Sequence, residues 1–552
     1  MAETNLENSA SFLNYAPIPL EFGTSGLRGL VKDITDLEAY INVKATLQYL
    51  LNCHDIAAGS IVVIAGDLRP SSDRIMAACA QAVIDAGCRV ENAGKIPTPA
   101  LVAHAIADRR AGVMVTGSHI PFDRNGIKLN KSAGELLKSD EPAILREVAR
   151  VRAEEYRRSS TESQFNTSGM LKIAPVLPVL DVTAQENYLH RYLNCFKRNG
   201  LAGRHVLVYQ HSAVGRDLLV RILRELGAAV ISAGRSDTFI PIDTENITDE
   251  QLKRLEALAL NAESAEGAID AIVSTDGDSD RPLVCAVLPA NQIKPGGRRV
   301  RFLPGDLLGI VTAEYLRADA AAVPISANDA VERRLHERNI LLKHTKIGSP
   351  YVVAALDALR GAGNDQRIVG WEANGGFLTG SEIRLHAGQL LPALPTRDAL
   401  LPILANLFAA AEQGISLSTL WDRLPARFGR AGLLDNFPVT ASKTILQRLI
   451  PDSDVVDVNF AIANEKWQDC KVSLARVFTP ALGFTDIERV NTLDGVRIYF
   501  RNGDIAHIRP SGNAPQLRIY ANGDSQARAD AIVAGAVREP DGILRQLERA
   551  LS

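Results

Sequence analysis

The sequence predicts an α/β fold: three related α/β domains built on mixed sheets, then a smaller C-terminal α+β domain. The first observation behind this is an internal repeat. An apolar strand at 61–65, a loop, a helix over 73–86 and a second strand after Gly87 come back later. They return as a strand at 205–209, a helix over 216–226 and a strand within 227–234. A fainter copy runs from Val323 through a helix over 329–338 to a strand at 340–343. Strand–helix–strand units form parallel or mixed sheets with helices on both faces, and repetition implies related domains. The second observation is that the pattern stops. A helical stretch at 397–413 and a segment at 415–424 follow the third copy, and the remainder ends in a helix near 525–537 without repeating the unit. The third is size: 552 residues, at roughly 100–200 per domain, fit three to five domains. The expected domains are 1–172, 173–292, 293–424 and 425–552. A polar joining segment lies at 152–172 and a hairpin or junction at 289–299.

Composition bounds the function. A charged fraction of 23% and a net charge of −3 give no electrostatic case for nucleic acid or an anionic membrane. Six cysteines (Cys53, Cys79, Cys88, Cys195, Cys285 and Cys470) form no CxxC pair, so no zinc or thioredoxin-like site is indicated, and most of them read as small buried apolar residues. The first residues lack a basic stretch leading into an apolar run, and no apolar run is long enough to span a bilayer. The expectation is a cytoplasmic protein.

In chain order, residues 1–20 are a loose lead-in. The run Glu21-Phe-Gly-Thr-Ser-Gly-Leu-Arg-Gly29 is a glycine-rich loop that lets backbone approach a ligand, with Thr24 and Ser25 in it and Arg28 aimed at an anion. A helix is expected over 36–52. Next comes an apolar strand, 111–115, running into Thr116-Gly-Ser-His-Ile-Pro121. This presents Ser118 and His119 on a strand-end loop, and Asn125-Gly126 is expected to turn the chain so that Lys128 returns toward the serine. A serine in a turn ordinarily caps a helix. Beside cations it can instead carry a phosphoryl group, and three later stretches supply what a phosphoserine needs.

The first follows an apolar strand: Asp276-Gly-Asp-Ser-Asp-Arg281. Carboxylates at alternate positions of an extended segment project together, and Asp276, Asp278 and Asp280 make a hard oxygen site suited to Mg²⁺. A Ca²⁺ loop of the EF-hand type is excluded, because Arg281 and Val287 stand where that loop needs Gly and Glu. The second, Gly370-Trp-Glu-Ala-Asn-Gly-Gly376, sets Glu372 and Asn374 in a flexible loop where they could hold a diol. The third, Arg509-Pro-Ser-Gly-Asn-Ala-Pro-Gln-Leu-Arg518, gathers guanidinium, hydroxyl, amide and turn N–H groups as a phosphate cradle.

In this order the four stretches resemble the signature loops of the α-D-phosphohexomutases, the phosphoglucomutase/phosphomannomutase superfamily, and the resemblance covers nearly the whole chain. It implies four domains arranged as a heart around a central cleft, interconverting hexose 1-phosphate and hexose 6-phosphate through a hexose 1,6-bisphosphate. It implies that Ser118 is phosphorylated and holds Mg²⁺ with Asp276, Asp278 and Asp280. Arg28, Lys128 and His119 would complete the catalytic group. Thr24, Ser25, Arg281, Lys346, Gly348, Glu372, Asn374, Arg509, Ser511, Gly512, Asn513 and Arg518 would bind substrate, Lys346 within a loop that helps choose the sugar. The chain departs from the pattern at Ile120 (usually Asn), Asn374 (often Ser), Gly376 (His in some bacterial relatives) and Asn513-Ala514 (Thr-Glu). These bear on the sugar. The favoured sugar is mannose with glucose alongside, and the alternative is a glucosamine or N-acetylglucosamine phosphate. A Mg²⁺-dependent phosphatase using Asp276 as nucleophile would leave Ser118, Glu372 and Arg509 idle, and a pure binding protein would need neither the serine nor the metal site. GxGxxG and P-loop motifs do not occur. The expected partners are small sugar phosphates, with the protein a monomer or small homo-oligomer and neither nucleic acid nor membrane bound.

Overall fold

The computed structural model describes residues 12–23, 26–293, 297–361, 366–385, 388–510 and 515–551. The chain divides into two compact units. One runs up to Ala321 and resumes over Gly348–Trp421; the other joins Ala322–Ile347 to the chain from Asp422 onward.

The first unit opens with a seven-stranded mixed sheet. Its strands are β1 (Glu21–Phe22), β2 (Leu27–Leu30), β3 (Ile61–Gly66), β4 (Arg89–Lys95), β5 (Ala111–Val115), β6 (Arg124–Lys131) and β7 (Gly134–Glu135). The order is β1-β2-β6-β5-β3-β4, with β7 paired to β6. β3 is parallel to β4 and β5, as expected for strands joined by helices, whereas β6 returns antiparallel to both β5 and β2. All five residues of β5 are buried, which explains its uninterrupted apolar run. Helix Asp36–Asn52 starts where Thr35 accepts a cap hydrogen bond from the Glu38 N–H at 3.3 Å. Helix Ser72–Asp85 packs on β3 through Ile75, Met76 and Cys79.

The second sheet has β8 (His205–His211), β9 (Ala229–Arg235), β10 (Ala271–Thr275), β11 (Pro282–Val287) and β12 (Val300–Phe302) in the order β12-β11-β10-β8-β9. β8 is parallel to β9 and β10; β10 and β11 form an antiparallel hairpin that pairs Thr275 with Pro282. β12 pairs antiparallel with β11, so the junction at 289–299 closes a second hairpin. The third repeat begins with β13 (Ala320–Pro324), followed by helix Asp329–Glu337 and β14 (Leu341–Thr345). β15 (Ile368–Trp371) and β16 (Phe377–Thr379) form a hairpin, a small ribbon joins β17 (Ile383–Arg384) to β18 (Leu390–Leu391), and β19 (Leu394–Asp398) pairs with β16. Here the helix expected at 397–413 is corrected. Arg397 lies on β19, and the helix spans Leu400–Glu412, because Asp398 accepts the Leu400 N–H at 2.9 Å and ends the strand there.

The second unit is organised on a six-stranded antiparallel sheet: β20 (Phe428–Leu434), β21 (Asp457–Asn459), β22 (Ile487–Asn491), β23 (Val496–Phe500), β24 (Ile505–Pro510) and β25 (Leu517–Gly523), in the order β20-β25-β24-β23-β22-β21. Its core includes Phe437, Trp467, Phe478, Phe484 and Phe500. Helix Gln526–Val537 lies in the expected place, with Ser525 as its cap. Residues 322–347 are tied to this sheet by buried arginines. Arg427 Nε donates to Asp329 Oδ1 at 2.8 Å, and Arg497 donates to the carbonyls of Ile325 and Ala327 at 2.6 and 3.0 Å. Among the described residues, five cysteines are buried and Cys53 is exposed, all free, and no helix is long and apolar enough to cross a membrane.

Candidate active site

Three parallel strands of the first sheet end at one place, where ligands of open α/β sheets gather. Asp67 and Arg69 follow β3, Thr98 follows β4 and Ser118 follows β5. Ser118 is fully buried with a left-handed backbone (φ 56°), a conformation that non-glycine residues keep only where the surroundings enforce it. The enforcement is visible. Thr116 Oγ1 accepts the Ser118 N–H at 2.8 Å, and Arg69 Nη2 donates to the carbonyls of Ser118 (3.0 Å) and Ile120 (2.5 Å). Arg69 is itself fixed by an ion pair with Asp67 and by stacking on Phe239, 3.9 Å from the ring centroid. Asp67 also accepts from Ser72 and Thr116.

Ser118 Oγ donates to Asp276 Oδ2 at 2.6 Å and stands 3.4 Å from His119 Nδ1. Asp276, Asp278 and Asp280 bring ligand oxygens within 4.8 Å of one another, all three buried. The segment is a tight turn between β10 and β11, not the extended stretch expected. Asp276 Oδ1 accepts the N–H groups of Asp280 and Arg281 at 3.2 Å each, and Ser279 takes φ 59° to allow it. The carboxylates converge through this turn rather than by alternation. Thr98 Oγ1 donates to Asp278 Oδ2 at 2.5 Å, and Lys128 Nζ bridges Asp278 Oδ2 and Asp280 Oδ2 at 2.6 Å each. Lys128 returns along β6, with Asn125 and Gly126 inside that strand rather than in a turn. Burial, then Asp278 and Asp280, push the Asp276 carboxyl well above its ordinary range. Burial acts the same way on Asp280, but Arg397, Lys128 and Arg281 outweigh it and carry that carboxyl below its ordinary range. The remaining oxygens Asp278 Oδ1 and Asp280 Oδ1 are buried without hydrogen-bond partners among the described residues. An all-oxygen donor set with two orphaned carboxylate oxygens fits a hard divalent cation.

Cations surround this cluster. Arg28 sits on β2, paired with Gly126 of β6, not in a loop. Burial, and then the Arg281 and Arg397 guanidinium groups, push its pKa down to about 10. Burial, Arg281 and Arg28 hold His119 neutral, down to about 2. Cations crowded in this way call for an anion. Arg281 Nε lies 3.7 Å from Asp280 and 3.9 Å from Asp276. Arg397, nearly fully buried, joins two loops: it meets Asp280 Oδ2 at 3.0 and 3.1 Å and Glu372 Oε2 at 2.9 Å. Glu372 and Asn374 occupy the turn between β15 and β16, where Asn374 Oδ1 accepts the Gly376 N–H at 2.9 Å and Thr244 donates to the Asn374 carbonyl at 2.7 Å. Glu135, on β7, accepts from Thr396 Oγ1 at 2.6 Å and from Ser349 Oγ, so it braces the strand that carries Arg397.

In the second unit, Lys346 is exposed. Arg509 and Arg518 face one another across β24 and β25. Arg509 Nε donates to Asp494 Oδ2 at 3.0 Å. Gly348, at φ 128°, begins the return of the chain to the first unit. Thr24, Ser25, Ser511, Gly512 and Asn513 lie outside the described residues.

Comparison with known proteins settles the family. Models for phosphoglucomutase/phosphomannomutase match in three places: the α/β/α domain I over residues 19–155, the α/β/α domain III over 304–428 and the C-terminal domain over 457–539. A phosphomannomutase of Salmonella muenchen is 36% identical over 96% of this chain and 97% of its own length. The chain belongs to the phosphoglucomutase/phosphomannomutase family. It is a mutase, an intramolecular phosphotransferase of the α-D-phosphohexomutase superfamily. A phosphomannomutase of Sinorhizobium fredii is 36% identical over 93% of this chain and 97% of its own. The fold matches the crystal structure of a phosphoglucomutase/phosphomannomutase family protein from Burkholderia thailandensis, with TM-score 0.66 at 16% identity, over 96% of this chain and 97% of that one. It also matches Aspergillus fumigatus N-acetylphosphoglucosamine mutase, solved with GlcNAc-6P and magnesium, with TM-score 0.55 at 13% identity and 96% of both chains covered.

Within this phosphohexomutase, Ser118, His119, Lys128, Asp276, Asp278, Asp280, Arg281 and Glu372 meet around one cluster. Sequence reasoning missed Asp67, Arg69, Thr98, Glu135 and Arg397, which hold that cluster in place. One signal was available for Arg397. Asp398 is a helix-capping residue type, so the helix should have been started after it.

Proposed function

We propose that this phosphohexomutase interconverts mannose 1-phosphate and mannose 6-phosphate, with glucose phosphates accepted alongside. The observation that carries the reading is Ser118 Oγ, 2.6 Å from Asp276 in a buried three-carboxylate cluster with cations around it. The two 36% identical relatives named phosphomannomutase support mannose. Mannose and glucose differ only in one hydroxyl configuration, and a site that must accept a bisphosphate in two orientations discriminates weakly there.

In this reading each of the four expected domains contributes one loop. Phosphorylated Ser118 gives its phosphoryl group to a sugar hydroxyl: the Ser118 Oγ–P bond breaks, a sugar O–P bond forms, and hexose 1,6-bisphosphate results. The other phosphoryl group then returns to Ser118 after the intermediate turns. Phosphoryl transfer needs mostly positioning and charge neutralisation, and Arg28, Arg281 and Lys128 supply it around the transferring group. The hydroxyl proton is exchanged within the group Lys128, Arg28 and His119. Asp276, Asp278 and Asp280, with the phosphoserine, would hold Mg²⁺. When bound, that ion withdraws charge from the phosphoryl oxygens. Glu372 and Asn374 take sugar hydroxyls, Lys346 and Gly348 belong to the sugar-choosing loop, and Arg509 and Arg518, with Ser511, Gly512 and Asn513, hold the phosphate that is not reacting. Thr24 and Ser25 are assigned to substrate binding.

The test is parallel turnover of mannose 1-phosphate, glucose 1-phosphate and glucosamine 1-phosphate with Mg²⁺ and a trace of glucose 1,6-bisphosphate. The expected result is turnover of the first two. Release of inorganic phosphate instead would overturn the mutase step, and preference for glucosamine 1-phosphate would overturn the sugar. Ser118→Ala is expected to fold normally and to lose nearly all turnover; unchanged activity would remove the serine from the mechanism.

A further inference from the structure

The two substrate-reading segments of the second unit are joined by one carboxylate. Asp494 stands at the β22–β23 turn. Its Oδ2 accepts the backbone N–H of Ile347 at 2.9 Å and Arg509 Nε at 3.0 Å. Its carbonyl is hydrogen-bonded to His507 Nε2 at 2.6 Å. The turn is held tightly against β24. Gly495 has φ 88°, and a Cβ there would lie 2.3 Å from the Ile508 carbonyl oxygen and 3.2 Å from Arg509 Cα. Asp494 is therefore fixed by backbone on the β24 side and reaches both Arg509 and the chain beside Lys346 with one oxygen. The guanidinium needs this restraint. Arg518 faces Arg509 directly across the ladder, so like charges oppose each other there, and among the described residues Arg518 Nε has no hydrogen-bond partner.

We infer that Asp494 is a positioning residue that couples the sugar-side segment at Lys346–Ile347 to the phosphate-side Arg509, so that the two are set as one piece. The inference rests on the roles proposed above for Lys346 and Arg509. It follows from shared chemistry: the same oxygen orients an arginine whose remaining N–H groups are left for a phosphate, and pins the amide next to the lysine. A substrate phosphate held by Arg509 thus fixes the frame from which Lys346 reads the sugar.

The experiment compares Asp494→Leu, Asp494→Asn and Arg509→Met. Leucine has the right size and accepts no hydrogen bond; asparagine places a neutral oxygen where Oδ2 stands. Because the coupling acts on bound phosphate in ground and transition state alike, Asp494→Leu is expected to raise KM for mannose 1-phosphate about tenfold with kcat within about threefold of wild type. Asparagine should restore most of this. Hydrogen exchange should show the Ile347 amide unprotected in the leucine variant and protected in the asparagine variant. Asp494→Leu should add less than about twofold to KM in the Arg509→Met background. Wild-type KM in Asp494→Leu, an unchanged Ile347 amide, or full additivity with Arg509→Met would each overturn the coupling. A loss confined to kcat would mark a structural role only and would equally overturn it. Failure of the mutase reading looks different, since it appears in the wild type as no turnover of any hexose phosphate.

Discussion

At Gly376 a single added methyl group should reach the candidate site directly. It is not one of the positive-φ glycines, so an alanine there meets no backbone strain, and the whole cost comes from space. The new Cβ would stand 2.6 Å from Arg397 Cδ, 2.7 Å from Cγ and 2.8 Å from Cβ. Rotating the arginine cannot relieve the last contact, so β19 itself must retreat. Restoring an ordinary 3.4 Å contact at Arg397 Cβ needs a shift of about 0.6 Å. Arg397 holds Glu372 at 2.9 Å and Asp280 at 3.0 and 3.1 Å, so a shift of that size stretches all three contacts to the edge of hydrogen-bond range or past it. Overpacking costs about 1–3 kcal/mol, and misplacement of about 1 Å costs about a hundredfold in rate. Gly376→Ala is thus expected to lower kcat/KM about a hundredfold and to lower the melting temperature. Steady-state turnover of mannose 1-phosphate measures the first and thermal denaturation the second. Arg397→Gly supplies the control: with the side chain gone, Cβ included, Gly376→Ala should cost less than about threefold more. Near-wild-type kcat/KM in Gly376→Ala, or the same loss in both backgrounds, would refute the packing argument. The same geometry explains why this chain has no histidine at 376, since Arg397 fills the space a larger side chain would need.

Thr98→Val removes a 2.5 Å hydrogen bond to Asp278 and is expected to raise the Mg²⁺ concentration for half-maximal turnover about 10–100-fold, read by metal titration. Arg69→Met leaves Asp67 buried without its ion pair and frees the Ser118 and Ile120 carbonyls. It should cost about 3–5 kcal/mol in urea unfolding of the first unit, and Arg69→Lys should recover little, because lysine has neither the fork nor the flat face that stacks on Phe239. His507 is buried, and burial, then the Arg497 charge, push its pKa down to about 4 against an ordinary 6.5. The unfolded chain therefore takes up the proton first. Stability is complete above about pH 6.5, falls as pH drops toward about 4, and loses on the order of 3 kcal/mol across that window. Thermal melts between pH 7 and pH 4.5 should show this loss on top of that from His211, which burial also pushes down to about 4, and His507→Gln should make the fall shallower.

The repeat made the first two sheets legible, since 61–65 and 205–209 are β3 and β8 within two residues and the helices after them fall where expected. The third copy was legible as strand, helix and strand. Its grouping with the C-terminal sheet was not, because Arg427, Arg497 and Asp329 are ordinary residues at ordinary positions until tertiary contacts join them. At Asp276–Arg281 the carboxylates do converge, but through a local geometry other than the expected one. Alternating Asp suggested an extended segment, yet Ser279 in a left-handed conformation does the converging, and serine carries little sign of that preference in a sequence.

The contrast between what was legible at the site and what was not has a physical reason. A loop that touches substrate must bring backbone close to it, so it needs glycine, proline and clustered charges, and those combinations stand out in a sequence. A residue that holds such a loop in place needs only one hydrogen bond in the right direction. Arg69, Thr98, Arg397 and Asp494 each follow or lie on a regular strand, in runs that read as structure alone. Their importance arises because two distant segments share them: Arg69 joins β3 to the serine loop, Thr98 joins β4 to the metal turn, Arg397 joins that turn to Glu372, and Asp494 joins Ile347 to Arg509. Each junction spans more than two dozen residues or a different sheet, so local pattern cannot contain it. If this is the right division, removing a loop side chain such as the Ser118 hydroxyl should change chemistry with little effect on folding, while substitutions at Arg69 and Arg397 should change both together.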